Sequence, residues 1–571
     1  VSGDSLAATC ASGVCSGTVT ASASRGSATC TADVKVYAAP AAADVQVVLI
    51  DVTTGLPIAN ADAAVTTDAA EPTVAKTDAN GVATFPGAAA TLKAVSAFPT
   101  THQWQTVVAP GSNQVALFTV PVPDESKVAG VKGKFDFSNV TTQGDIKLGL
   151  TGMSIGGAIT DLDFATLIGE IADYNIVLEG VTDADGEVVP LPSGLVLELG
   201  AESIKGDFVT LGDPGLRILW ALGGRLRLSQ IGSVISSVTA SDEVNVGQIL
   251  SAVLPFFGKF DHGIVSGLEL TESNRPTASS EGAPVPYDAW PFEELTGGDA
   301  VALNTLITQA VTYNVPTLPC VPGQGTSPSC ADAKHTSGAV LLTGVVVPGI
   351  GLVPLGLTAG LDDPDDRDTN NQKDGKLDYL PPEVGDAPAK GTARVDYAPP
   401  HDGLEGNLFV TIAIALDIDG LSGGSLGAST ITHISDKYGA TNSFPAGSFL
   451  EHQGGKWTPA AGTFELTKSG SADFYRLNLN EDEAEWNIWF PDGAGDIELS
   501  TLRPSTVTGR AEGADIQAFK LGAGYNGAKP SDYDALVEFN GTNLDNLVYY
   551  MGGWSSQACE TVEGAHCAIV E

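Results

Sequence analysis

The sequence predicts a mainly β protein, built as tandem antiparallel β-sandwich domains with a few short helices. Three observations carry this. Glycine (67) and proline (33) are frequent, and both punctuate turns. Short runs rich in Val, Thr, Ile and Leu recur, with the two-residue alternation of half-buried strands. The chain has 571 residues at 43% hydrophobic content, far more than one ordinary core accommodates. Roughly three to five domains are expected at such a length.

Charge and cysteine usage bound the function. The chain carries 28 basic against 69 acidic residues, a net charge of −41. Such a surface repels nucleic-acid phosphates and anionic lipid, so no nucleic-acid partner is expected. It suits a solvated, exported protein in salt or near divalent cations. No apolar run reaches the roughly 18 residues of a membrane helix. The most apolar stretch, 340–361, is broken by Pro348 and Pro354. Val1 reads as the residue after a removed leader. Cys320 and Cys330 are expected to pair, as are Cys559 and Cys567, which places the chain in an oxidising compartment. Cys10, Cys15 and Cys30 leave one odd thiol whose identity stays open. Zinc spacing is missing, and no HExxH occurs.

Residues 1–33 form a cysteine-bearing segment held by its staple. Residues 34–123 form the first unit, with strands at 45–51, 92–98 and 115–120. Asn80-Gly81, followed by alternation at Val82, Thr84 and Phe85, signals a hairpin. The opening Asp51, Gly55, Leu56, Pro57, Ile58, Ala64 and Val65, with the Thr77-Asp78-Ala79-Asn80-Gly81 turn and Phe85, resembles the carboxypeptidase regulatory-like (transthyretin-like) β-sandwich. The resemblance covers 34–123. It implies a non-catalytic spacer or binding accessory, typical of secreted and surface proteins.

Residues 124–275 read as a larger β-rich domain, with strands at 132–137, 145–150, 175–178, 195–199 and 206–211. A hairpin turn is expected at 182–186. Gly223-Gly224 reads as a two-residue hairpin between strands 216–222 and 225–228. Alternation puts Leu216, Ile218, Trp220 and Leu222 on one face. Short helices are expected at 163–174 and 246–254. Residues 276–335 read as a Pro/Ser/Gly linker, then a helix at 299–313, then the Cys320–Cys330 loop. That helix would bury a stripe of Val301, Leu303, Leu306, Ile307, Ala310 and Val311. Residues 336–435 return to strands, at 340–347 and 407–418, around an acidic loop. Residues 436–571 form a last β-rich unit around Trp486, Trp489 and Phe490, with strands at 464–468, 475–479 and 536–539.

The acidic loop carries the clearest ligand chemistry. Asp366, Asp368 and Asn370 stand two apart, Asp374-Gly375 supplies a turn, and Asp378 adds a carboxylate. Hard cations such as calcium take six to eight oxygens of this kind. The start resembles calcium loops of the EF-hand, dockerin and thrombospondin type 3 kinds. It departs from the EF-hand register, since glycine is not sixth and no glutamate is twelfth. A calcium-stapled loop between strands is therefore expected, not a helix-loop-helix.

Other motifs are weaker. Ser154 (152–156) and Ser422 (420–424) sit in GxSxG patterns, but the strand-turn-helix context of a nucleophile elbow is missing. Asp261 and His262 would be the partners of Ser154, though adjacent residues fit triad roles poorly. Glu481, Asp482 and Glu483 beside Trp486 and Trp489 offer a sugar platform, against the commoner reading of buried tryptophan. Asn139-Val140-Thr141 and Asn540-Gly541-Thr542 are glycosylation sequons.

The function expected is that of an exported cell-surface or extracellular structural and interaction protein. It would be calcium-stabilised, self-assembling or bound to a protein partner, and not an enzyme. The alternative is a secreted carbohydrate-binding protein or hydrolase with an accessory sandwich and a glycan ligand. A third class is a surface protein held by a lipid anchor upstream of Val1.

Overall fold

The computed structural model of the chain describes residues 13–22, 29–122, 124, 126–144, 146–155, 176–182, 188–191, 195–199, 207–226, 260–277, 285, 287–295, 300–321, 330, 335–348, 350–362, 374–378, 389–416, 427–481, 485–493, 496–509, 511–522, 551–561 and 565–570. It is mainly β, in tandem sandwiches. Among the described residues the one α-helix is Leu499–Leu502, and none is long and apolar enough to cross a membrane.

One long sheet of thirteen strands serves as a shared layer. Its order is Leu377–Asp378, Gly351–Asp362, Gly338–Val347, Leu408–Leu416, Ala428–Ser435, Met551–Ala558, Ala511–Leu521, Phe474–Glu481, Glu485–Pro491, Trp104–Val108, Ala94–Phe98, Asp62–Thr66 and Thr73–Lys76. Smaller sheets stack on it, and each stack has its own core. Val45–Asp51, between Val82–Phe85 and Gln114–Thr119, closes the first sandwich. Val45, Val47 and Leu49 alternate inward there, against Ala63, Val65, Val95 and Val107. Gly454–Thr458 and Thr463–Thr467, joined by Ile497–Glu498 and Cys567–Ile569, cover the middle of the long sheet. Trp457 and Phe464 meet Tyr475, Leu477 and Ile516 in that core. Gln309–Asn314, with Thr392–Tyr397 and Thr441–Ser443, covers the far end, where Val311 and Tyr313 meet Leu341 and Ala413.

Residues 130–306 supply two larger sheets and one two-stranded pair. Leu195–Leu199, Ile146–Met153, Gly215–Leu226, Asp261–Leu270 and Thr305–Leu306 form one, in that order. Asp207–Leu211, Gly130–Asp136 and Ala300–Ala302 form the other. Ile176–Thr182 pairs antiparallel with Val188–Leu191, and the turn expected at 182–186 falls between them, outside the described residues. The helices expected at 163–174 and 246–254 and the strand at 536–539 also lie outside the described residues.

Three local expectations are corrected. The segment 299–313 is not a helix. It forms Ala300–Ala302, Thr305–Leu306 and Gln309–Asn314, which join three different sheets. Val301 and Leu303 are buried as one alternating pair and Val311 and Tyr313 as another, while Leu306 is 48% exposed. Period-two burial against ready strand partners overrides the helical stripe. Gly223-Gly224 is not a hairpin, because it lies inside the unbroken strand Gly215–Leu226. A Cβ on Gly223 would fall 2.2 Å from Leu303 Cδ1, and one on Gly224 2.0 Å from Phe260 Cδ1. The glycines admit large side chains onto bare backbone rather than turning the chain. Ile218, Trp220 and Leu222 do share a buried face, whereas Leu216 at its end is exposed. The Asn80-Gly81 turn forms, with Gly81 at φ +72° and the Asp78 carboxylate accepting from the N–H groups of Asn80 and Val82. Its arms enter opposite sheets, so it is a sandwich corner and not a hairpin.

The expected disulfides Cys320–Cys330 and Cys559–Cys567 are present, and Cys15 is disulfide-bonded. Gly224→Ala tests the close packing on the Gly215–Leu226 strand. The added methyl displaces Phe260, and a loss of about 1–3 kcal/mol is expected for such overpacking. Urea unfolding reads this directly, and an unchanged midpoint would show that Phe260 does not rest on this strand.

Candidate functional site

The residues that sequence motifs single out for catalysis are occupied by structural bonds. Ser154 is 3% exposed, and its Oγ accepts from the Ile218 N–H at 3.1 Å. Ser422 lies outside the described residues. Asp261 accepts from the Thr141 N–H at 2.7 Å and from the Thr141 hydroxyl, and burial raises its pKa against those two bonds. His262 is fully buried. Its Nε2 donates to the Pro354 carbonyl at 2.9 Å, which leaves Nδ1 to accept from His401 Nε2 at 2.9 Å. His401 Nδ1 in turn faces Asp402 Oδ2 at 2.9 Å. Burial, reinforced by His401, holds His262 down at about 3, so it stays neutral. The His262–His401 bond therefore latches the Asp261–Leu270 strand to the loop after Thr392–Tyr397. It does not face Ser154 as a triad.

The tryptophans of the expected sugar platform are likewise interior. Trp486 is 0% and Trp489 2% exposed, so neither offers a face to a glycan. They belong to a joint between distant parts of the chain. Glu485–Pro491 pairs in parallel with Trp104–Val108, with Trp486 opposite Trp104 and Trp489 opposite Val107. Trp486 Nε1 donates to Thr106 Oγ1 at 2.9 Å, and Trp489 Nε1 donates to Gln105 Oε1 at 3.1 Å. Asn487 Nδ2 donates to Gln103 Oε1 at 3.2 Å, and the Gln103 amide donates to Glu485. Asp482 and Glu483 lie outside the described residues. The one sequence signal for this joint is its composition: two amides and a threonine lie among apolar residues at 103–107, and two tryptophans and an asparagine lie at 486–489.

The acidic loop is pinned at its base. Asp362 pairs with Leu377 and Leu361 with Asp378, so the residues at the two ends of the loop meet at one point of the long sheet. The Gly375 N–H donates to the buried Asp362 carboxylate at 3.0 Å, and the Gly375 carbonyl accepts from the Leu318 N–H at 2.8 Å. Gly375 has φ +74° and presses against Thr317 and His335, so a side chain is excluded there. His335 Nδ1 lies 2.8 Å from the Leu318 carbonyl and 3.3 Å from Cys330 Sγ, so the Cys320–Cys330 staple buttresses the same base. Asp374 is paired with Lys390 at 3.3 Å and Lys376 at 3.7 Å. Any cation reaching Asp374 competes with two ammonium groups. Asp366, Asp368 and Asn370 lie outside the described residues, and Asp378 holds a strand position. Sequence reading missed Asp362 and His335, since a lone carboxylate at a strand end and a lone histidine carry no motif.

Two further features face outward. The long sheet ends in Thr73–Lys76, an edge strand with Val74 38% exposed. Between it and Val82–Phe85, the edge of the facing sheet, lies a cavity of about 230 Å³ lined by Val65, Val74, Ala75, Phe85, Pro86 and Ala88. Val14–Ser22 and Thr29–Tyr37 form a two-stranded sheet that pairs with no third strand among the described residues.

No family model matches the chain, and no curated protein matches it in sequence. Solved structures resemble it weakly. A point mutant of shaft pilin SpaA from Lactobacillus rhamnosus GG is 10% identical over 32% of this chain and 87% of its own, with a TM-score of 0.11. The Bacillus anthracis TIE protein is 8% identical over 68% of this chain and 49% of its own, at 0.13. The fimbrial protein FimP from Actonomyces oris is 11% identical over 65% of this chain and 89% of its own, at 0.13. Scores at this level do not establish a shared fold.

The buried side chains set two expectations. Trp486→Phe keeps an aromatic side chain, though a smaller one, and leaves Thr106 Oγ1 without its indole donor, and about 1–3 kcal/mol of stability should be lost. Full stability in a denaturant titration would remove the indole bond from the joint. The second concerns pH. Burial lowers His262 to about 3 and His452 to about 4, and lowers His433 as well. The unfolded chain takes up these protons near pH 6.5 while the folded chain refuses them. Stability is thus complete above 6.5 and falls as pH drops toward 4, by roughly 1.4 kcal/mol per unit for each fully buried ring. Unfolding free energies that stay flat from pH 7.5 to 5 would contradict this.

Proposed function

We propose that this chain is an exported, non-catalytic structural protein of a cell surface or extracellular matrix, and that it associates with copies of itself. The observation that carries the reading is the long sheet with an exposed end at Thr73–Lys76. A closed barrel has no such edge, and an open one is a template for another chain. Two disulfides among the described residues and the charge of −41 support life outside the cytoplasm as a solvated protein. The first sandwich, three strands facing four, supports the resemblance to a carboxypeptidase regulatory-like accessory module.

The same reading assigns calcium to the 362–378 loop, with Asp366, Asp368, Asn370 and Asp378 as ligands. Asp374 joins them only by releasing Lys376 and Lys390. Support comes from the ligand spacing and from a base already fixed by Asp362, Gly375 and the Cys320–Cys330 staple. Thermal unfolding with excess calcium and then with chelator, with particle size followed in the same samples, tests both parts. Calcium at a hundredfold excess over its Kd should add about 2.7 kcal/mol, and Asp366→Asn with Asp368→Asn should abolish the gain. A melting temperature indifferent to calcium removes the metal. Monomers at every concentration remove self-association.

A further inference from the structure

We propose that Asn139 is an asparagine-linked glycosylation site, and that it takes its sugar before this part of the chain folds. The site is independent of self-association and of calcium. Only the compartment of transfer rests on the exported reading above. Asn139-Val140-Thr141 is one of two sequons in the chain, and the other, Asn540-Gly541-Thr542, lies outside the described residues.

The fold presents Asn139 as an acceptor. Phe137 and Val140 pack inward on the core that holds Phe135, Leu219 and Leu303. They bracket a tight turn, closed by the Val140 N–H on the Phe137 carbonyl at 3.3 Å. Ser138 and Asn139 form its exposed tip. The Ser138 N–H donates to Asp136 Oδ1 at 2.9 Å, which ties the tip to the end of Gly130–Asp136. The Asn139 side chain makes no hydrogen bond or ion pair among the described residues, so a bulky, hydrated sugar on its amide displaces no contact.

The order of events follows from Thr141. The motif requires a hydroxyl two residues after the asparagine, so the transferase must reach that group. In the folded chain it is taken. The Thr141 N–H donates to Asp261 Oδ2 at 2.7 Å and its hydroxyl to the same carboxylate at 3.2 Å, and Asp261 is 2% exposed. Next to it, Thr142 Oγ1 accepts from the Arg225 N–H at 2.6 Å. Arg225 and Asp261 follow their partners by 83 and 120 positions, so the sequon stays open until both later strands have been made. In that window the Asn139 amide nitrogen attacks the anomeric carbon of a lipid-pyrophosphate-linked sugar. The C–N bond forms as the C–O bond breaks. The lipid pyrophosphate leaves with the electron pair, and an amide proton passes to a base of the transferase. Folding then engages the recognition hydroxyl and leaves the sugar outside.

Glycopeptide mapping of the full-length chain, recovered from outside its own cells, tests the site. The peptide holding Asn139 should carry a sugar mass. An amidase that cuts the glycan–asparagine bond in heavy-oxygen water should convert Asn139 to labelled aspartate. Asn139→Gln, which breaks no contact, should lose that mass, and so should Thr141→Val, whereas Thr141→Ser should keep it. For the order, the folded full-length chain made without a transferase is offered the enzyme and a lipid-linked oligosaccharide, and Asn139 should stay bare. Modification of the folded chain overturns the order. A bare Asn139 on exported chain overturns the site, whatever Asn540 carries, and leaves the exported reading standing. Chain confined to the cytoplasm removes both.

Discussion

The structure depends on one parallel strand pairing, Trp104–Val108 against Glu485–Pro491. It joins the first sandwich to the last unit and makes two sheets into one. Backbone pairing alone would leave the register loosely fixed, because strands slip where side chains do not discriminate. Here the indoles of Trp486 and Trp489 find Thr106 and Gln105, and Asn487 finds Gln103, across some 380 positions of sequence. A one-residue slip would break all three of these bonds at once, because each donor reaches one particular side chain of the partner strand. Trp486 also packs edge-on against Trp104 and Phe98, which adds about 0.5–1.5 kcal/mol per aromatic pair. Helix Leu499–Leu502 closes the joint from above, its Thr501 and Leu502 carbonyls accepting from the hydroxyls of Thr66 and Ser96.

How far the sequence reached follows from where its signals are local. The alternation of Val45, Val47 and Leu49 and the Asn80-Gly81 turn are local chemistry, and both recur in the structure. The short-range disulfide pairs were legible for the same reason. Gly223-Gly224 misled because a glycine pair has two physical uses, turning the chain or admitting a neighbour, and only Phe260 and Leu303 decide between them. The stripe at 299–313 misled because apolar residues spaced for a helix also satisfy short alternating strands when sheet edges await them. Trp486 and Trp489 had two readings, platform or core, and only the partner strand near residue 105 distinguishes them.

Four buried polar side chains follow one rule. His262, Ser154, Asp261 and His452 lie where a functional reading would want open chemistry, yet each has a fixed partner. In a sheet protein of this size, such bonds specify which layer meets which, because apolar faces alone are interchangeable. The acidic loop base shows the same rule at the surface, where Asp362 and His335 hold Gly375 between a strand end and a disulfide.

The place of Met551–Ala558 in the long sheet has a consequence for how the chain is made. This strand lies between Ala428–Ser435 and Ala511–Leu521, with five strands on one side and seven on the other. It is the last strand of the thirteen to be synthesised, yet it is the keystone. Before Met551–Ala558 is delivered, the strands on its two sides form two separate half-sheets, each with a raw internal edge. Completion is therefore reported by the fold itself. A chain truncated before Met551 cannot close its central layer, and the inner edges of Ala428–Ser435 and Ala511–Leu521 stay open.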